Sequence, residues 1–359
     1  MHGLYRDEAD VIKAGRAMAK RPAGADKTLD VVVVIPTFNE ADHIGALCRG
    51  LLADPIFSAP GLAEIWVLDG GSTDDTRKIA EALSMRDPRV RLIENPGRTQ
   101  AHAMNLAAEQ AMEDGAATII RVDAHAYYPV NFLSILLATL DAETCDSVVV
   151  PMHTIGGDRV RDAAADLYNS WLGNGGSTHR SSKLRGFVEH GHHAAFRLAK
   201  FREVGGYDPR FIANEDAELD KRIVASGGRI FLENAAVVDY IPRDTVAGFW
   251  SQMWRNGRFR VWTAAKHGDR LGLRQLLPVA VSLGVLGSLA LGLIWWPLFA
   301  PALAYIALVT VLAAAAATRK TLGRIGSIIV LAIVSHLAFG LGAVRGMAEM
   351  AASRRQQFA

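Results

Sequence analysis

Two hydrophobic patterns divide the chain. From residue 31 to 241, short β-branched runs alternate with stretches of helical spacing, which predicts βαβ units round a mostly parallel sheet. Val31–Ile35 reads as a buried strand stopped by Pro36 and Asn39, and Ala41–Leu52 as the helix after it. The order repeats with Ala63–Leu68 and a helix ending near Met85, then with Val90–Ile93 and a helix over Thr99–Glu113. Thr118–Val122 is the fourth strand. Ligands of such sheets collect at the carboxyl ends of strands, where Asn39, Asp69 and Asp123 fall.

The second pattern is continuous. No Asp, Glu, Lys, Arg or His occurs from Gln275 to Thr318, and a helix needs only about 20 apolar residues to cross a bilayer. Two spans are predicted, Leu276–Ile294 and Leu298–Ala317, with Trp295-Trp296-Pro297 as an interfacial turn. A third apolar stretch, Ile325–Val344, is the next candidate span, but a full crossing would put Arg345, Arg354 and Arg355 outside, so a re-entrant or interfacial element competes. Between the two patterns, Val246–His267 mixes Phe249, Trp250, Trp254, Phe259 and Trp262 with Arg255, Arg258, Arg260 and Lys266, a composition suited to lipid headgroups. The expected organisation is an N-terminal extension (1–29), an α/β domain (30–244), an interfacial amphipathic segment (245–274), membrane segments (275–346) and a C-terminal tail (347–359).

Charge narrows the function. With 39 basic and 37 acidic residues and a net charge of +2, the chain lacks the basic excess of a nucleic-acid-binding protein. Two cysteines, Cys48 and Cys145, cannot make a zinc site alone and read as core thiols in a reducing compartment. The first thirty residues lack the apolar core of a secretory signal. Arg319, Lys320 and Arg324 follow the second span, where two crossings would return the chain to the cytoplasm. The expected location is the inner (cytoplasmic) membrane, multi-pass, with the α/β domain facing the cytoplasm.

Several polar groups sit where chemistry could occur, each beside a plainer reading. Asp69 could accept the imide N–H of a uracil ring, or simply form the turn before Gly70-Gly71. Ser72, Thr73 and Asp74 could face a ligand or cap the next helix. Arg98 opens a helix after Pro96-Gly97, as a ligand cation or a solvated arginine. Asp123-Ala124-His125 offers a carboxylate and an imidazole, a pair suited to Mn²⁺ at least as well as Mg²⁺. Asp216, in Asn214-Glu215-Asp216, is placed to cap a helix running to about Ala225 or to act as a base, being ionised at neutral pH without tuning.

Taken in order, Val33-Val34-Ile35-Pro36-Thr37-Phe38-Asn39-Glu40, Asp69-Gly70-Gly71-Ser72-Thr73-Asp74-Asp75-Thr76, Asn95-Pro96-Gly97-Arg98 with Asn105, Val204-Gly205-Gly206-Tyr207-Asp208 and Asn214-Glu215-Asp216-Ala217-Glu218-Leu219 resemble the family 2 glycosyltransferases, over roughly residues 30 to 240. Within that family the pattern is most similar to the ExoA-type glucosyltransferases of succinoglycan and related exopolysaccharide assembly. The resemblance implies a GT-A fold followed by C-terminal transmembrane helices. It implies donor binding by Pro36, Thr37, Asn39, Glu40, Asp69, Ser72, Asp74, Arg98 and Asp123. Asp123 and His125 stand in place of the family's DxD signature, with His where a second Asp is usual, and would hold a divalent cation, Mn²⁺ or Mg²⁺. Asp216 would be the base and Glu215 its neighbour on the acceptor side. One base and one displacement imply inversion at the anomeric carbon, a β-linkage from an α-linked donor. Gln252-Met253-Trp254-Arg255 is partly similar to the QxxRW element of polysaccharide synthases, which would put Gln252 and Arg255 on acceptor or diphosphate; a membrane anchor needs no such role. The implied partners are a UDP-sugar, glucose before other hexoses, a polyprenyl-diphosphate-linked saccharide, membrane lipid and other exopolysaccharide-assembly enzymes. A processive synthase and a catalytically silent nucleotide-sugar-binding scaffold are the competing readings.

Overall fold

The structure is a computed structural model, and the described residues are 29–59, 61–176 and 184–357. The N-terminal extension therefore lies, Leu29 apart, outside them. Two compact units emerge: residues up to 152 with 181–239, and residues 153–180 with 240–359. The expected α/β segment, 30–244, is thus interrupted by a stretch that belongs to the second unit.

The first unit is built on an eight-stranded sheet. Its elements are β1 (Val31–Thr37), α1 (Ala41–Leu52), β2 (Ala63–Asp69), α2 (Thr76–Arg86), β3 (Val90–Glu94), α3 (Gln100–Glu113), β4 (Thr118–Arg121), α4 (Phe132–Ala142), β5 (Ser147–Val150), β6 (Gly186–Val188), β7 (His192–Arg197), α5 (Leu198–Glu203), α6 (Glu215–Ala225) and β8 (Ile230–Leu232). The strand order is β3-β2-β1-β4-β7-β5-β8-β6. β3, β2, β1 and β4 are mutually parallel, while β7 is antiparallel to both β4 and β5.

Period-two burial on both faces explains the continuous apolar strands. Val31, Val33 and Ile35 pack with Ile44, Cys48 and Leu51 of α1 and with Phe132, Leu133 and Leu136 of α4. Val32 and Val34 face the other way, toward Met104, Ala107 and Ala108 of α3, Phe201 of α5 and Leu219 of α6. Each of the valine, isoleucine, leucine, phenylalanine and methionine side chains among them, fully buried, is worth about 1.5–3 kcal/mol. β1 runs on through Pro36 to Thr37, past its expected stop. Its pairing with β4 ends at Val34–Arg121 while that with β2 continues to Thr37–Asp69, so the proline lies where the strand has one neighbour. Cys48 and Cys145 are both buried and free.

The second unit is helical over most of its length. It contains a helix Arg159–Tyr168, then α7 (Val246–His267), α8 (Leu273–Gly292), α9 (Ala300–Ala316) and α10 (Leu322–Gln357). Thr245 caps α7, its Oγ1 accepting from the Gly248 N–H at 3.1 Å. A short 3₁₀ turn, Trp296–Phe299, joins α8 to α9 where a tryptophan turn was expected. Among the described residues three helical stretches are long and apolar enough to cross a membrane, Leu273–Gly292, Trp296–Ala316 and Leu322–Ala352.

Candidate active site

Because β1 to β4 are parallel, the loops that follow them leave the sheet at one end. The first two loops lock together. Asn39, in the left-handed region at φ 57°, accepts the Thr73 N–H at 2.8 Å and gives its own N–H to Ser72 Oγ at 2.9 Å. The Glu40 N–H goes to Thr76 Oγ1 at 2.7 Å. Asp74 accepts the Ala41 N–H at 3.2 Å and the Thr76 N–H at 3.0 Å, so one carboxylate serves the starts of both α1 and α2. The Thr76 hydroxyl, at 2.5 Å, does most to hold that carboxyl below its ordinary range.

Asp69 is turned inward. Its oxygens accept the Ser72 N–H at 3.2 and 3.3 Å and the Ser72 hydroxyl at 2.5 Å, and the residue is 1% exposed. This is the turn-forming arrangement expected of Asp before Gly-Gly. The turn is tight: a Cβ on Gly70 would stand 3.3 Å from the carbonyl oxygens of Thr37 and Arg98. Arg98 lies beside it at φ 58°, a conformation costing about 1 kcal/mol for a side-chain-bearing residue. Arg98 precedes the helix; α3 opens at Gln100 with Thr99 as its cap, because a threonine side chain can accept the free His102 N–H. Pro36 and Thr37 remain in β1, with the Thr37 hydroxyl donating to Leu68 O at 3.3 Å.

A second group is centred on Arg121, whose side chain is only 9% exposed. Its Nε and Nη2 donate to Asp123 Oδ1 and Oδ2 at 3.0 and 3.3 Å, and its Nη1 to Asp216 Oδ1 at 2.6 Å. Glu215 Oε1 is 3.9 Å from the same nitrogen. Asp216 Oδ1 also accepts the Tyr207 hydroxyl at 2.9 Å. Tyr207 is held in turn by Asn105 of α3, which receives its N–H and donates to its carbonyl, both at 2.8 Å. The left-handed turn at Gly205 and Gly206 (φ 84° and 65°) permits that approach. Asn214, at φ 61°, swings the chain so that Glu215 and Asp216 open α6 beside Arg121.

These carboxylates are not alike. Burial raises the Asp123 pKa, but the charge and hydrogen bonds of Arg121 outweigh it and leave the carboxyl below its ordinary range. Burial, reinforced by the charge of Asp216, pushes Glu215 up to about 7. Near neutral pH Asp123 is an anion, while Glu215 is divided between its two protonation states.

His125 joins the two groups, its Nδ1 lying 3.0 Å from Glu40 Oε1. A histidine that gives one ring N–H to a carboxylate carries its lone pair on the other nitrogen, the arrangement of metal-ligating imidazoles. Among the described residues no three His, Cys, Asp or Glu side chains are grouped to hold a metal by themselves. Asp123 and His125 would supply only part of a cation's ligand shell, leaving the rest to a bound phosphate group or water.

Gln252 and Arg255 belong to α7 of the second unit. Gln252 donates to Tyr240 Oη at 3.2 Å and its buried Oε1 has no hydrogen-bond partner. Burial, then the charge of Arg243, lower the Arg255 pKa. Four groups outside the motifs carry bonds at the site or beside it: Arg121, Gln100, which donates to Asp123 at 2.9 Å, and the pair of His190 with fully buried Asp220 at 2.6 Å. The one available signal was an arginine ending the apolar run Thr118-Ile119-Ile120.

The fold is shared with a mannosyltransferase from Pyrobaculum calidifontis, PcManGT, whose structure is a complex with GDP-Man and Mn²⁺ (TM-score 0.54, 22% identity, 95% of this chain and 94% of that one). It is the GT-A fold. The glycosyl transferase family 2 profile matches residues 32–205. Succinoglycan biosynthesis protein ExoA of Rhizobium meliloti (strain 1021) is 42% identical over 270 residues, 75% of this chain and 80% of that protein. The dolichyl N-acetyl-α-D-glucosaminyl phosphate 3-β-D-2,3-diacetamido-2,3-dideoxy-β-D-glucuronosyltransferase of Methanococcus voltae is 25% identical over 232 residues, 62% of this chain and 70% of that protein. The chain belongs to glycosyl transferase family 2, and it is similar to the ExoA protein of succinoglycan biosynthesis.

Proposed function

We propose that this glycosyltransferase moves a sugar, glucose before other hexoses, from a UDP-sugar to a polyprenyl-diphosphate-linked saccharide in exopolysaccharide biosynthesis, with inversion to a β-linkage. One observation carries the reading: a single buried guanidinium holds Asp123 and Asp216 together, so the carboxylate suited to the diphosphate side and the one suited to deprotonation open on one site.

The donor nucleotide lies along Pro36, Thr37, Asn39, Glu40, Asp69, Ser72, Asp74, Arg98 and Asp123. Asn95 adds a buried carbonyl oxygen without a partner, a group that an imide N–H of the base could meet. Asp123 and His125 would hold a divalent cation, Mn²⁺ or Mg²⁺, which when bound offsets the charge of the departing nucleoside diphosphate. Asp216 takes the proton of the acceptor hydroxyl as its oxygen attacks the anomeric carbon and the bond to the diphosphate breaks. Arg121 and Tyr207 both hold Asp216 through Oδ1, fixing the direction in which Oδ2 is presented. Glu215, near half-protonated at neutral pH, orients the acceptor. Gln252 and Arg255 are assigned to the acceptor or the diphosphate. Membrane spans anchor the enzyme in the inner membrane, with catalysis on the cytoplasmic side and the lipid-linked acceptor at the same bilayer.

Membranes containing the full chain, incubated with a panel of UDP-sugars and lipid-linked oligosaccharides with and without Mn²⁺ or Mg²⁺, test the proposal. The expected product is one β-linked sugar added per acceptor from UDP-glucose. An α-linkage, a polymer, or no transfer from any UDP-sugar would each contradict it.

A further inference from the structure

α6 carries a second acid on the face that presents Asp216. Asp220 lies four residues on, one helical turn or about 5.4 Å along the axis, so the two carboxylates stand one below the other. Asp220 is fully buried, and its Oδ2 accepts from His190 Nδ1 at 2.6 Å and from the Gly191 N–H at 3.3 Å. A buried carboxylate keeps its charge only with such donors around it. The approach is built into the backbone: a Cβ on Gly191 would stand 2.5 Å from Val149 Cγ2, so a glycine is needed for the chain to press onto β5 at this point.

The order of the strands locates this histidine. Asn39, Asp69 and Asp74 follow β1 and β2, and Asp123 and His125 follow β4. Beyond β4 the sheet continues with β7 and β5. β7 is antiparallel to both of its neighbours, so its start lies at their carboxyl ends, where the loops of the site leave the sheet. His192, the first residue of β7, pairs with Val150, the last of β5, and His190 stands two residues further out. It is therefore at the ligand end of the sheet, across Asp123 from the nucleotide loops, and Asp220 ties it to the helix that bears Asp216. A donor laid from β1 toward Asp123 leaves that side of the site to the acceptor.

The chemistry of the ring suits a sugar hydroxyl. A carboxylate only accepts, so Nδ1 gives its N–H to Asp220 and the imidazole is held by one edge. Nε2 is on the other edge, turned away from Asp220, and 30% of the side chain is exposed. We propose that His190 contacts the acceptor: its Nε2 meets a hydroxyl of the terminal acceptor sugar beside the one that reacts, and Asp220 positions the imidazole for it. The proposal rests on the glycosyl transfer set out above and adds how the acceptor is selected. A site built to hydrogen-bond a hydroxyl discriminates against the analogue that lacks it.

Two variants of the full chain separate holding from contact. In His190→Asn the amide nitrogen can replace Nδ1 against Asp220 but falls short of the Nε2 position, which the longer side chain of His190→Gln reaches. Both are assayed with UDP-glucose and a polyprenyl-diphosphate-linked disaccharide ending in a hexose, and with versions lacking one hydroxyl of that hexose. His190→Asn should raise the acceptor KM about 10–100-fold, leave the donor KM within about twofold, and be partly rescued in His190→Gln. One deoxy acceptor should cost the wild type a similar factor and cost His190→Asn nothing further, a coupling that a merely structural histidine would not produce. Asp220→Asn, which can still accept the Nδ1–H, should raise the acceptor KM less than His190→Asn does. An unchanged acceptor KM in His190→Asn, or a rise in the donor KM instead, would overturn the proposal. So would a wild type that uses every deoxy acceptor as well as the parent, a result that needs no variant to fold. A wild type that extends none of these acceptors contradicts the proposed transfer and the histidine's role with it, whereas an active wild type with any of the preceding results overturns the histidine's role alone.

Discussion

The two halves of the sheet use their carboxylates differently. At the ends of β1 and β2, Asp69 and Asp74 accept N–H and hydroxyl groups from nearby turns, Ser72, Thr76 and Ala41. Where strand direction begins to alternate, Asp123 and Asp216 share a guanidinium, Glu218 pairs with Arg222 at 2.5 Å, and Asp220 with His190 at 2.6 Å. In the first half acidic groups shape loops; in the second they keep charge buried beside a potential proton acceptor. A loop-forming acid can be removed at modest cost, whereas removing one member of a buried charge cluster leaves the others uncompensated.

The largest effect that would sharpen this contrast is at Arg121. Arg121→Gln leaves Asp123, Glu215 and Asp216 without their common cation and should lower stability by about 3–5 kcal/mol, read as a drop in the unfolding midpoint in detergent. Arg121→Lys should recover part of the loss but not the geometry of the fork. A fully stable Arg121→Gln would show that these carboxylates do not depend on a shared cation.

Glu215 gives a pH signature. Its carboxyl titrates near 7 in the folded chain against an ordinary 4.5, so between those values the folded state binds a proton that the unfolded state has released. This group's contribution to stability therefore falls as pH rises through that window, on the order of 1–3 kcal/mol in all. Glu215→Gln should flatten that part of the stability profile, and unfolding midpoints at pH 5 and 8 check it. Asp69→Asn should cost about 1–2 kcal/mol through its weakened bonds to Ser72, and should raise the donor KM more than it lowers kcat. The smallest change is expected for Asp74→Ala, about 1 kcal/mol from two lost caps, with the transfer rate at saturating donor nearly unchanged. Loss of transfer in that variant would move Asp74 into the chemistry.

The parallel half was legible because its information is local. A β-branched run, a polar turn and a capped helix recur within about thirty residues, and each of Asn39, Asp69 and Asp74 has its partners in such a unit or the next. Arg98 falls two residues before its helix because Thr99 is the better cap. The Arg121 cluster was not legible. Its bonds join residues 95 positions apart for Asp216 and 86 for Tyr207, and no spacing rule connects a strand-end arginine to a helix start across such distances. Hydropathy marks α8, α9 and α10 alike as candidate spans, because it reads composition and not packing.

On the proposed mechanism Asp216 removes the acceptor's proton at a site that binds the donor without its help. Purified full-length Asp216→Asn, titrated calorimetrically with UDP-sugar and assayed with the lipid-linked acceptor, tests it most directly. Donor affinity should stay within about twofold while transfer falls by roughly 10²–10⁴. Transfer at the wild-type rate, or loss of donor binding equal to the loss of rate, would contradict it.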